Sequence, residues 1–187
     1  MRRTAMANLT REEAISILEE GHALIRQRIS GLAEEDLTRP RTIGDADWSG
    51  KDLIGHIAVW EELALRSLEE WRLGEVPWVE RDEGPLSAPT TGKVDAFNAE
   101  KIAETQVLRL AVVRTRAERA HRELIAAIRT LSDQEWTAKA TYPTLNDRRR
   151  KLCTLLGSIT AAPGRPFGHA FAHLPDLELL VASVHAR

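Results

Sequence analysis

The stretch SGKDLIGHIAVWEELALRSLEEW, residues 49–71, decides the fold. Ser49 is suited to cap a helix with Asp52 three positions on. From there Leu53, His56, Ile57, Trp60, Leu63, Ala64 and Trp71 recur at the spacing of one buried helical face, and Gly74 ends the run. The same period extends outward in both directions. Upstream, Thr10 opens a helix with Glu13 placed to reach back, and Ile15, Leu18, His22, Ile25, Ile29 and Leu32 form its stripe before Pro40 marks a stop. Downstream, Val107, Leu110, Ala117, His121, Leu124, Ile128 and Leu131 share a stripe, interrupted by Arg114, on a third helix predicted from about Asp95 to Leu131. A fourth helix begins near Arg149, runs through Leu155 and Ile159, and is broken by Pro163, Gly164 and Pro166. A further helix holds Phe167 through Val184, kinked or restarted at Pro175. Residues Ile29–Thr38 echo Ile128–Thr137, as two helical hairpins in equivalent places would. The pattern predicts an all-α fold: a four-helix bundle with a long loop between helices two and three and a broken C-terminal helix.

Residues 75–92 form that loop, punctuated by Pro77, Gly84, Pro85, Pro89 and Gly92. A segment this long without periodicity is a lid, a binding surface or a disordered connector. The expected organisation is a flexible N-terminus over residues 1–8 and a single helical domain over 9–187. Hydrophobic residues at 43% and charged residues at 29% are those of a globular chain and exclude a disordered one. A net charge of -2 gives no general attraction to nucleic acid or an anionic membrane. Met1–Met6 carries charge with no apolar run behind it, so neither a leader nor an anchor is expected there. The basic run Arg148, Arg149, Arg150 and Lys151 reads as a solvated helix entrance. The lone cysteine, Cys153, excludes an intrachain disulfide and sits among apolar neighbours as a core residue. These features predict a cytoplasmic protein, and neither nucleic acid nor membrane as its partner.

The chemistry lies in the histidines. His169 and His173 are four apart, which stacks two imidazoles on one helical face as a shared metal ion requires. His56, on the buried stripe of helix two, is the natural third ligand, because bundles build metal sites from facing helices. The residue after His169 is Ala170 rather than Glu, which argues against a metalloprotease with its base inside the motif. His22 and His121 interrupt apolar stripes and read as hydrogen-bonded core or boundary histidines, with His121 the spare ligand candidate. His185 is near the C-terminus and solvated.

Trp48 through Glu61 resembles the second helix of DinB/YfiT-like four-helix bundles. There a Trp precedes a helix whose DxxxH segment delivers the first metal histidine, followed by an aromatic and an acid. Gly168 through Leu177, with His169, His173, Pro175 and Asp176, resembles the C-terminal HxxxH of that superfamily. Val94–Ala99 resembles the opening of its third helix. The resemblance spans Leu9 to Leu180 and implies a DinB-like bundle with His56, His169 and His173 on a divalent ion (zinc, nickel or iron). Members include transferases and isomerases that use a low-molecular-weight thiol such as mycothiol, bacillithiol or glutathione, as well as hydrolases. A ClbS/DfsB-like branch protects against reactive small molecules.

The expectation is therefore a metal-dependent enzyme acting on a small molecule, as an S-transferase or a hydrolase. The alternatives are a metal-free binding or self-protection protein and a non-catalytic dimeric bundle; a homodimer is the expected assembly. Asp52 and Asp176 are the candidate proton acceptors or histidine orienters. Trp60, Trp78 and Phe171 are candidate pocket walls or ordinary packing. Pro163-Gly164-Arg165-Pro166 intervenes where the superfamily runs more directly into its histidine pair. The sequence leaves open whether that break turns the last helix toward His56 or away from it.

Overall fold

Reciprocal capping starts α1 (Arg11–Ile29), α3 (Gly50–Arg72) and the short α6 (Asp133–Thr137). Thr10 with Glu13, Ser49 with Asp52 and Ser132 with Glu135 each satisfy two backbone N–H groups that the first turn leaves free. The other helices are α2 (Glu34–Thr38), α4 (Lys93–Gln106), α5 (Leu110–Arg129), α7 (Leu152–Ile159), α8 (His169–Ala172) and α9 (Leu174–His185). The computed structural model describes residues 9–44, 47–87, 92–142 and 149–186. The expected flexible residues 1–8 thus lie outside the described residues. α3 is central, packed on α4, α5 and α7, while α1 packs on α5, α8 and α9. The four members of the bundle are α1, α3, α5 and the broken run α7–α9. Among the described residues no helix is long and apolar enough to cross a membrane.

The apolar interior forms two clusters. One holds Leu18 of α1, Leu63 and Leu68 of α3, Leu124 and Ile128 of α5 and Leu155 of α7. The other holds Ile25 of α1, Leu53 and Ile57 of α3, Val113 and Ala117 of α5 and Leu177 of α9. In sequence, His22 and His121 fall between the two sets on their helices, and Glu61 is bonded to His121, so a polar belt crosses the bundle there.

The third member is not the single helix from Asp95 to Leu131 that its stripe predicts. α4 ends at Gln106, α5 begins at Leu110, and Val107 is 83% exposed rather than part of the stripe. The buried Lys51 explains the break. Its ammonium donates to the carbonyls of Gln106 at 2.8 Å and Leu108 at 2.9 Å, groups the interrupted helix leaves without partners. Gly55 lets α4 lie close to α3, because a Cβ there would stand 2.5 Å from Thr105 Cγ2.

Three other expectations are corrected. α7 starts at Leu152, not near Arg149, because the preceding residues pair with 138–140: Ala140 N–H donates to Arg150 O at 2.8 Å and Leu152 N–H to Ala138 O at 3.0 Å. Arg150 is accordingly not solvated; its guanidinium pairs with Glu80 at 2.7 Å. Arg148 lies outside the described residues. The loop 75–92 is not wholly irregular either. Trp78–Glu80 forms a 3-10 turn with Val79 fully buried, and Glu70 accepts the Trp78 N–H at 2.6 Å. Pro89 and its neighbours in residues 88–91 lie outside the described residues.

Candidate metal centre

His56 is carried by the middle of α3 and buried. The other two histidines reach it through the Pro-Gly break. Ala162 and Arg165 exchange backbone hydrogen bonds at 3.0 Å across Pro163-Gly164, and Gly164 has φ 75. Proline followed by a glycine at positive φ is the requirement of a type II turn, so the chain reverses here instead of continuing outward. Phe167 N–H then donates to Gly157 O at 3.2 Å, and His169 N–H to Thr160 O at 3.0 Å, tying the returning strand to α7. α8 docks on α1 at Gly21, where a Cβ would stand 2.9 Å from that of Ala170. The helix expected from Phe167 to Val184, kinked or restarted at Pro175, is restarted: α8 ends at Ala172, α9 opens after His173, and Pro175 occupies its first turn, where a missing N–H costs nothing.

The three imidazoles converge. His56 Nε2 lies 3.1 Å from His169 Nε2, His173 Nε2 lies 3.3 Å from the same atom, and each ring has a nitrogen within 4.8 Å of the others. An ion bound tetrahedrally at roughly 2.0–2.1 Å would set its ligand nitrogens about 3.3 Å apart, so the spacing fits. A ring nitrogen has one in-plane bonding position, and His169 Nε2 therefore cannot hydrogen-bond both neighbours well. A single ion between them would satisfy all three.

The electrostatics agree. Burial pushes the pKa of His56 down to about 3, with repulsion from His173 adding to the effect. Burial likewise holds His169 well below the usual value, and lowers His173 against the opposing pull of Asp176. All three rings are neutral at pH 7, the form that offers a lone pair. Asp176 Oδ2 lies 3.3 Å from His173 Nδ1, which places the proton on that nitrogen and the lone pair on Nε2. Among the described residues His169 Nδ1 is buried without a partner. Asp52 is occupied differently: its Oδ2 accepts from Ser49 N–H at 2.9 Å and Ser49 Oγ at 2.7 Å, closing the cap of α3.

Beside the histidines is a cavity of ≈ 210 Å³ bordered by His56, His169, Trp60, Leu86, Asn98 and Ser158, among others. The Trp60 indole N–H donates to Asn98 Oδ1 at 3.1 Å. Because the indole only donates, the Asn98 amide must present its oxygen there, which leaves its NH2 group for other acceptors. Trp60 is thus the one wall residue among the three expected. Trp78 instead packs against Phe97, ring centroids 5.9 Å apart, and Phe171 lies under the Arg165 guanidinium at 3.5 Å. Sequence reasoning did not single out Asn98, Leu86 or Ser158, which come from three separate elements with no shared spacing. The spare candidate His121 is elsewhere, bonded through Nδ1 to Glu61 at 2.9 Å.

No curated protein sequence matches the chain. Solved structures do share the fold. An uncharacterised protein from Escherichia coli UTI89 matches with a TM-score of 0.68 over 94% of this chain and 95% of its own, at 13% identity. The colibactin self-resistance protein ClbS, solved in complex with dsDNA, matches with a TM-score of 0.61 over 91% of this chain and 92% of its own, at 16% identity. The mycothiol-dependent maleylpyruvate isomerase matches with a TM-score of 0.61 and 18% identity over 90% of this chain, which spans 61% of the isomerase's length. Identities this low establish the common fold alone. In sequence, residues 17–174 match the profile of the DinB superfamily. With most of its length matched and the bundle in place, the chain belongs to the DinB superfamily.

Proposed function

We propose that this protein is a divalent-metal-dependent enzyme acting on a small molecule, of the thiol-dependent transferase or hydrolase type, with His56, His169 and His173 as the metal ligands. The observation that carries the reading is the convergence of three neutral imidazole nitrogens, with Nε2 separations of 3.1 and 3.3 Å. Three protein ligands leave a tetrahedral ion one open position, and a bound ion supplies Lewis acidity and a lowered pKa to a water or thiol held there.

The chain's own residues do the rest. Asp176 is a positioning residue that fixes the tautomer of His173. Trp60, Leu86 and Ile159 give the neighbouring cavity apolar walls that exclude water from the reacting end of a substrate. The free NH2 group of Asn98 is a donor for a polar atom of that substrate. Two relatives of the same fold, a mycothiol-dependent isomerase and a self-resistance protein, support small-molecule chemistry as the theme. A metal-free protective or binding role is the second reading, favoured by the match to ClbS over 91% of this chain and 92% of that one.

Elemental analysis of protein purified without a histidine tag or chelator separates the two. Near-stoichiometric divalent metal that disappears in His56→Ala and in His169→Ala is the expected result. Absence of metal as isolated and after addition of zinc or nickel would overturn the metalloenzyme reading in favour of the second.

A further inference from the structure

His22 and His121 on otherwise apolar stripes, and the Arg114 that interrupts one of them, take no part in the three-histidine site. They meet in a different place. Between α1 and α5, with α3 as its floor, runs a groove of ≈ 870 Å³, a volume within the range of organic-ligand sites. Its floor is apolar, formed by Ile25, Ile54, Ile57 and Ala117.

One wall is polar. His22 stacks on His121 with ring centroids 3.9 Å apart and planes within 10°. The buried Glu61 carboxylate accepts the His121 Nδ1–H at 2.9 Å and so fixes that ring. Among the described residues His22 Nε2 is buried with no hydrogen-bond partner, and Glu118 Oε2 stands 3.7 Å away. Burial, reinforced by His121, pushes the pKa of His22 down to about 4, so its ring is neutral where it lines the groove.

The rim charges are unequally engaged. Glu61 is held by His121, Glu118 pairs with Arg26 at 3.4 Å, and Glu19 pairs with Arg129 at 2.6 Å. Arg114 and Arg122 border the same groove, are exposed, and make no ion pair among the described residues. Two guanidinium groups are left over where every acid is already matched.

We propose that this groove is a second ligand site, distinct from the three-histidine centre, for a small organic anion. Its apolar body lies on the Ile25–Ile54–Ile57–Ala117 floor beside the stacked His22 and His121 rings, and its acid group is held by a rim guanidinium of Arg114 or Arg122. The planar guanidinium fork matches carboxylate and sulfonate alike, so the shared chemistry is an anionic oxygen group on an apolar frame.

Titration calorimetry of the full chain with naphthalene-2-sulfonate tests this, with naphthalene-2-methanol as the neutral match. The expected result is one saturable site for the sulfonate, at least fivefold weaker binding of the alcohol, and at least fivefold weaker sulfonate binding by Arg114→Glu/Arg122→Glu. The His22 ring proton signals move during the titration, and zinc leaves the affinity unchanged. Both arginines are exposed and unpaired, so the double variant retains the wild-type circular dichroism. If it does not, the single variants Arg114→Gln and Arg122→Gln replace it, and at least one of them must weaken binding. No binding at millimolar sulfonate, a smaller effect of the arginine changes, or an affinity that falls with zinc while ignoring those changes would each overturn the proposal.

Discussion

Asp52 and Asp176 each lie about one turn from a candidate ligand, yet the structure gives them different tasks. Asp52 spends its Oδ2 on the Ser49 cap, while Asp176 faces the imidazole of His173. Asp176→Asn is therefore expected to weaken metal binding about 10- to 100-fold with the fold intact, as removal of a group that orients a ligand does. Competition with a chromophoric chelator measures this, and an unchanged affinity would remove Asp176 from the site. Asp52→Ala is expected to lower stability by about 1 kcal/mol, as loss of a cap does. The histidines set the response to acid. In the unfolded chain they titrate near the ordinary 6.5, whereas in the folded chain His22 is held down to about 4 and His56 to about 3. Between those values the unfolded chain binds protons that the folded chain does not. Stability of the metal-free protein is thus complete above pH 6.5 and declines as the pH falls toward 4 and below. Urea midpoints at pH 7.5, 6 and 5 should fall in that order; a flat series would contradict the buried, neutral state of these rings.

At the scale of elements, what the sequence disclosed was whatever a single turn contains. Thr10 with Glu13 and Ser49 with Asp52 specify their own geometry, and so does a histidine pair four apart. The echo between Ile29–Thr38 and Ile128–Thr137 was also legible. It appears as the five-residue helices α2 and α6, whose Leu37 and Trp136 are buried. The break at Val107 was not legible, because the partner that stabilises it, Lys51, lies on another helix. Nor did Pro163-Gly164 reveal its direction, which depends on the bonds from Phe167 to Gly157 and from His169 to Thr160. Asn98, Leu86 and Ser158 escaped for the same reason: only tertiary folding brings them to one cavity. The close passage of α3 and α4 gives a direct test. Gly55→Ala is expected to cost about 1–3 kcal/mol through overpacking against Thr105. Adding Thr105→Ala should recover much of that loss in urea unfolding, and failure to do so would place the strain elsewhere.

Across the whole molecule, the candidate metal centre joins the middle of the chain to its end, since His56 and His169 are 113 residues apart. Zinc at about 100 times its dissociation constant should stabilise the fold by about 2.7 kcal/mol. For a chain of this size that corresponds to a rise in melting temperature of roughly 5–10 °C. The rise should be absent in His56→Ala; an equal rise there would mean that the ion binds elsewhere. His173 also ends α8 and opens α9, so its ring is mounted on a joint rather than on a rod. Whatever grips that ring fixes the angle at which the last helix meets α1. An ion held there would act on the C-terminal helix as a latch acts on a door. Zinc should slow hydrogen exchange at the amides of α9, Leu180 among them, more than at those of α5, and equal protection of both would mean that the door does not swing.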